Sequence, residues 1–412
     1  MDEVPRRRVL KGAAALAAGA GAAGRAAAQA GDNLPPNVPE WMKTQGAPIL
    51  TPPYGAPSPF EKDVIRRQRT KVPTQTAATS LTPLQDLQGI ITPNGLHFER
   101  DHAGVPAIDP AQHRLMVHGL VERPLIFTMD ELMRFPSVSK LYFIECSGNG
   151  SWEPLKPNAT AQESRGLVSC AEWTGVPLAT VLAEAGVKPS AAWVLAEGAD
   201  AAAVTRSVPI AKAMDDALLA WAQNGERLRP EQGYPLRLLL PGFEGNMCIK
   251  WLRRLKVGDQ PFQTREETSK YSDLMPDGTA REFTFVMEAN SIITFPSGGQ
   301  RLHGPGFHEI SGLAWSGRGA VTGVEVSTDA GRNWRRAALQ EPVLPKCLTR
   351  FRLPWTWDGA PALIMSRSID ETGYIQPTRA ELVAVRGVNS YYHYNAIQPW
   401  QVAGDGSVTY VA

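Results

Sequence analysis

From about Leu81 onward the chain runs in short apolar stretches cut by Gly, Pro and Asn, the texture of short strands joined by turns. "HRLMVHGLV" (113–121) and "KLYFIEC" (140–146) read as strands, while "TMDELMRF" (128–135) and "PLATVLAEAG" (177–186) read as short helices, the second stopped by Gly186. "AMDDALLAWAQNGE" (213–226) predicts another short helix running into a turn, and "YPLRLLLPG" (234–242) a strand closed by Pro-Gly. Helices and strands mix without a repeated βαβ rhythm, so the expected fold class is α+β. Beyond Arg281 the helical pattern stops. "AVTGVEVSTDAGRNWRRAAL" (320–339), "ALIMSRSID" (362–370) and "ELVAVRG" (381–387) all read as strands, and an immunoglobulin-like β-sandwich is the expected architecture there.

The first 80 residues have a different texture. Arg6 to Arg8 precede a mildly apolar Ala/Gly run, and Ala28-Gln29-Ala30 offers small residues for cleavage, so 1–30 reads as a twin-arginine signal peptide. Residues 31–80 are proline-rich and read as an extended arm. The expected organisation is therefore signal 1–30, arm 31–80, a first domain 81–280 and a second domain 281–412. No later run reaches transmembrane length, so the mature chain is expected to be periplasmic and not membrane-bound.

Composition narrows the function. The 412 residues carry a formal net charge of +1, which gives no reason to expect nucleic acid as a partner. The four cysteines, Cys146, Cys170, Cys248 and Cys347, form no CxxC and no CxxCH, so covalent c-type haem is excluded in this chain. Cys146 stands at a strand end, followed at once by Ser147, Gly148 and Asn149. A disulfide half, a nucleophile, a soft metal ligand and a plain buried thiol all suit that pattern. Two further constellations stand out. "PNGLHFERDHAGVP" (93–106) gathers His97, Arg100 and His102, and "GYPLRLLLPGFEGNMCIKWLRRLKVGD" (233–259) leads from Arg237 through a Gly-rich loop to Lys250. Cations flanking a glycine loop suit a phosphate, although the GK[ST] ending of a P-loop is missing.

"PNGLHFERDH", "FIECSGNG", "LAEGADAAAVTRSVP", "NGERLRPEQGYPLRLLLPGFEGNMCIKWLRRL" and "VEVSTDAGRNW", in this order, resemble the sulfite oxidase family of molybdenum enzymes. The resemblance runs from about residue 80 to the C-terminus. "YGAPSPFEKDVIRR", "GIITPNG", "REETSKYSDLMPDGTAR" and "RGVNSYYHYNAIQPW" are most similar to the subfamily of sulfane dehydrogenase molybdenum subunits. The resemblance implies a molybdopterin domain followed by an immunoglobulin-like dimerisation domain, with molybdenum on one molybdopterin (a pyranopterin dithiolene). It implies Cys146 as the metal ligand, His102, Arg237, Cys248, Ile249 and Lys250 as cofactor contacts, and Arg100, Tyr271 and Arg318 as catalytic residues.

Oxygen-atom transfer to a sulfur substrate follows as the expected reaction. No cytochrome-b5-like segment precedes the molybdenum domain, so electrons are expected to leave through a separate c-type cytochrome. Gly150 and Ser151 stand where sulfite-oxidising relatives carry basic residues. A weaker positive field is therefore expected around the substrate, which favours sulfane on a carrier protein over the alternative, free sulfite. Trp152, Trp251 and Trp334 read as core or interface anchors, and His97, His113, His118 and His303 as structural. A homodimer through the C-terminal sandwich is also expected from the resemblance.

Overall fold

The computed structural model describes residues 39–43, 45, 57–69, 74–150 and 154–412. The signal read at 1–30, Ser151 and Trp152 lie outside the described residues. Of the segment Met1–Lys62, which clusters as a unit by itself, the described part forms two 3-10 turns, Glu40–Met42 and Pro59–Glu61. Everything below concerns Asp63–Ala412.

Its N-terminal part is built on two five-stranded sheets. One runs Leu125–Phe127, Leu115–Gly119, Leu252–Gly258, Trp193–Gly198 and Thr205–Pro209 in spatial order. The other runs Glu226–Arg227, Leu218–Gln223, Val168–Pro177 and Val138–Glu145, with Arg237–Leu239 paired to Leu218–Gln223. The strand predicted around "KLYFIEC" spans Val138–Glu145 and is covered on both faces. Tyr142 and Ile144 pack into the N-terminal core, whereas Leu141 and Phe143 pack into the C-terminal core. Period-two alternation thus places one strand between two cores, and the backbone N–H of Phe143 donates to the Lys346 carbonyl at 3.0 Å. The segment that delivers Cys146 is held from both sides.

Four-stranded and five-stranded sheets make the C-terminal sandwich, with Trp315, Phe351, Trp357 and Trp400 buried in its core. Leu84, Leu87 and Ile90 join that core from far upstream, so the two halves share apolar surface. A smaller three-stranded sheet, Arg67–Gln68, Thr79–Leu81 and Glu99–Arg100, turns the end of the proline-rich arm into regular structure.

Two expected elements come out differently. "ELVAVRG" lies in a helix, Arg379–Arg386, because Thr378 and Glu381 form a reciprocal capping box that satisfies its first backbone donors. "AMDDALLAWAQNGE" is helical only through Asp215, at the end of Ile210–Asp215. Its apolar half is the strand Leu218–Gln223, drawn between Val168–Pro177 and Arg237–Leu239. Tertiary pairing overrides the helix propensity of Leu and Ala there. The helices Met129–Leu132 and Leu178–Ala185 form as expected, the second ending at Gly186 with φ 71°.

Candidate active site

Two hollows meet at Cys146. The inner one lies among residues 98–102, 232, 237, 245, 246 and 248–251; the outer one lies among Arg69, Ala77, Thr79, Arg265 and Tyr392. Cys146, Arg100, His102, Val204 and Tyr271 line both. Cys146 is at the boundary because its strand ends at Glu145. Its own N–H is taken by the Leu167 carbonyl at 3.0 Å, and the Asn149 N–H returns to its carbonyl at 2.8 Å. Burial pushes its thiol pKa up, against the Gly148 backbone N–H and the Arg100 and Arg69 guanidiniums that favour the thiolate. A soft metal that replaces the proton relieves that opposition.

The inner hollow gathers the predicted cofactor contacts. Arg237 stands on Arg237–Leu239, and the following loop folds back so that the Leu238 N–H donates to the Ile249 carbonyl at 2.9 Å. This return puts Lys250 beside Arg237's strand although they are far apart in sequence. Lys250 Nζ pairs with Asp101 and donates to the Glu231 carbonyl at 2.9 Å. Arg237 is buried, stacks 5.4 Å from the Trp173 ring centroid, and keeps its Nε without a partner in the described residues. Burial lowers the pKa of both cations. Cys248 is fully occupied locally: its Sγ accepts the Leu240 N–H at 3.3 Å. Cys248 and Ile249 line only the inner hollow, which leaves Cys146 as the thiol shared by both.

Across the boundary, Tyr271 Oη lies 3.3 Å from His102 Nε2. Burial, with Arg100 and Lys250 nearby, lowers the His102 pKa to about 4, so the imidazole is neutral. Burial also raises the Tyr271 pKa, helped by Cys146 and Tyr392, so its phenol stays protonated. The Arg206 guanidinium sits 5.2 Å from the Tyr271 ring centroid and fixes its far face.

The structure does not bring Arg318 here. It is exposed after the strand Gly306–Trp315, where the Ser316 hydroxyl accepts its N–H at 3.1 Å and its guanidinium stacks 5.4 Å from the Tyr374 ring centroid. Gly150 also faces away from both hollows. Its φ is 84°, and a Cβ there would lie 2.8 Å from Tyr394 and 2.9 Å from Arg165. Glycine at 150 is therefore a packing requirement, while Ser151, the other half of that expectation, lies outside the described residues. Arg69, Arg100, Arg265 and Lys270 all line the outer hollow.

Several lining residues lie in the quoted motifs without a site role assigned from the sequence. Trp251, read as a core anchor, lines the inner hollow, and Tyr391 and Tyr392 line the outer one. The two tyrosines arrive from the C-terminal half because the Asp273 carboxylate accepts both their N–H groups, at 2.8 and 3.0 Å. His97 is buried between Phe98 and Trp173, as a structural residue would be.

The comparisons with known proteins agree with this geometry. Residues 102–266 match the oxidoreductase molybdopterin binding domain, and residues 281–399 match the Mo-co oxidoreductase dimerisation domain. The chain is 47% identical to the crystal structure of the sulfane dehydrogenase SoxCD from Paracoccus pantotrophus, with a TM-score of 0.90 over 93% of this chain and 99% of that one. It is 31% identical to the mitochondrial sulfite oxidase of Rattus norvegicus over 83% of this chain and 67% of that protein. Against the Homo sapiens enzyme the identity is 32%, over 83% and 68%.

The cofactor is accordingly molybdenum with molybdopterin. The residues present fit such a group: a thiol at the boundary suits the soft metal, and a partnerless buried Arg237 Nε beside Lys250 suits an anionic phosphate. With an α+β molybdopterin domain, a dimerisation sandwich and a cleft built for oxidising sulfur groups, the chain belongs to the sulfite oxidase family of molybdenum oxidoreductases.

Proposed function

We propose that the chain is the molybdenum subunit of a periplasmic sulfane dehydrogenase of a thiosulfate-oxidising (Sox) pathway, exported by its twin-arginine signal. It oxidises sulfane sulfur held on a carrier protein and passes the electrons to a c-type cytochrome. The observation that carries this reading is the 47% identity to a sulfane dehydrogenase over nearly the whole length of both chains. The chain carries no CxxCH, which fits a haem carried by a separate partner. Among the described residues, no helix is long and apolar enough to cross a membrane. The dimerisation sandwich supports a homodimer.

In this reading Cys146 holds the metal. Arg237 and Lys250 hold the pterin phosphate, while His102, Cys248 and Ile249 line the rest of the cofactor. When bound, the molybdenum centre supplies oxygen-atom transfer to the substrate sulfur and takes up its electrons. Arg100 neutralises and orients the negative charge on the substrate sulfur and on the oxygens it gains, a task suited to a planar guanidinium. Tyr271 keeps its proton and donates it in a hydrogen bond toward the reacting oxygen, while neutral His102 fixes the phenol's direction. Arg318, exposed and stacked on Tyr374, takes no part.

Free sulfite is the second reading. The four cations of the outer hollow favour it, as they would hold a small dianion. Steady-state turnover with ferricytochrome c separates the two. The first reading expects efficient oxidation of carrier-linked sulfane and poor use of sulfite; efficient sulfite turnover with an inert carrier substrate overturns it.

A further inference from the structure

The three-stranded sheet at the edge of the outer hollow has a register with a chemical consequence. Gln68 pairs with Ser80, the Arg69 N–H donates to the Thr79 carbonyl at 3.1 Å, and Thr79 pairs with Arg100. Residues 69, 79 and 100 therefore form one cross-strand row. All three line the outer hollow together with Cys146. Two strand spacings separate the arginine backbones, about 10 Å, with the short Thr79 side chain between them. Side chains as long as arginine close that gap easily.

The two arginines differ in their ties. Arg100 Nη1 donates to the Ala78 carbonyl at 3.4 Å and to the Asp101 carbonyl. The half-buried Arg69 has no side-chain hydrogen bond or ion pair among the described residues. Like charges in one row repel, and sequences normally avoid that arrangement unless an anion sits between them. The loop after Cys146 offers no cation at 150, where glycine is required by Tyr394 and Arg165. Arg265 and Lys270 also line the hollow but are exposed, so the row brings the better-buried second cation from the end of the arm.

We infer that Arg69 is a specificity-determining residue, which with Arg100 across the Thr79 row holds the negative charge of the sulfur substrate, and the oxygens it gains on oxidation, beside Cys146. The inference rests on the proposed sulfur-oxidising reaction and deepens it: the substrate gains oxyanion character as it is oxidised, and the end of the proline-rich arm carries part of its binding site. Arg265 and Lys270 stand more exposed and form the outer rim.

The test uses full-length holoenzyme, with Arg69→Ala and Arg69→Lys beside the wild type. Sulfate affinity is read by calorimetry, and KM and kcat are read with sulfite and ferricytochrome c. The expected result for Arg69→Ala is a loss of about tenfold or more in sulfate affinity and a parallel rise in KM. Molybdenum content, melting temperature and kcat stay near wild type, and lysine restores part of the affinity. Unchanged sulfate affinity in a folded, molybdenum-loaded Arg69→Ala protein overturns the inference, whatever the turnover. Sulfate binding that depends on Arg69 in an enzyme oxidising neither sulfite nor carrier-linked sulfane leaves the clamp standing and overturns the reaction instead.

Discussion

The backbone N–H of His393 donates to the carbonyl of Ser147 at 2.8 Å, one residue beyond Cys146. A segment of the C-terminal half thus pins the loop that presents the thiol. His393 is itself held in a buried ionic group: Nδ1 is 3.0 Å from Glu288 Oε2, and Nε2 is 3.6 Å from Glu244 Oε2. Glu244 in turn accepts from Arg206, which also bonds Asn246 of the inner hollow. The two halves meet at the active site through charge as well as through shared apolar surface.

Replacing His393 by Ala removes the cation shared by two buried carboxylates, leaving Glu288 with Arg386 and Glu244 with Arg206. We expect a loss of about 1.5–3 kcal/mol in unfolding free energy, the range for hydrogen bonds to charged groups, read as a lower guanidinium midpoint. The backbone N–H at 393 that anchors Ser147 is kept, so cofactor content should fall only as far as loss of the ionic group lets that segment move. A midpoint equal to wild type contradicts the role given to this group.

The same group sets a pH window. Burial opposes a charged imidazole, but Glu288 and Glu244 outweigh it and hold the His393 pKa up at about 9. That contribution to stability is complete below the ordinary value of 6.5 and is lost as pH climbs through 9. Burial is likewise outweighed at Glu288, whose pKa His393 and Arg386 hold down at about 2. Its contribution is present above 4.5 and is lost as pH falls toward 2. Melting temperature should therefore drop between pH 7 and 9.5 in wild type and drop less steeply in His393→Asn. Parallel curves for the two proteins refute the assignment.

Gly150→Arg tests whether this position tunes the substrate field or only permits packing. With φ at 84° and Tyr394 2.8 Å from a Cβ, any side chain is strained. We expect destabilisation of about 1–3 kcal/mol from the backbone alone, with no gain in sulfite affinity. A folded variant with a lower KM for sulfite would restore the field argument.

Tyr271→Phe removes one hydroxyl and little else, since Arg206 and Tyr392 still pack against the ring. We expect kcat to fall about 10²-fold with KM nearly unchanged, the pattern of an interaction made mainly in the transition state. A rise in KM alone would make Tyr271 a binding residue.

How much was legible in the sequence depended on the range of the interaction. Cys146, Arg100, His102, Arg237 and Lys250 belong to contiguous motifs, and they do line the hollows. Arg69 carries no such mark, and Tyr391 stands in "RGVNSYYHYNAIQPW" without a site role that the motif assigns. One is placed by a cross-strand register, the other by hydrogen bonds to Asp273 more than a hundred residues away. Arg318 was misplaced because a loose match in a turn says nothing about the direction of its side chain. The helix Arg379–Arg386 had a readable signal in Thr378 and Glu381, which its apolar residues obscured. Gly150 was read as a missing charge, when its reason lies in Arg165 and Tyr394 packed behind it.

The central claim is that Cys146 holds the molybdenum. Molybdenum X-ray absorption on the loaded wild type and on Cys146→Ser tests it most directly. The account predicts one sulfur neighbour fewer around the metal in the variant, with activity lost and the pterin retained. An unchanged sulfur count would contradict it.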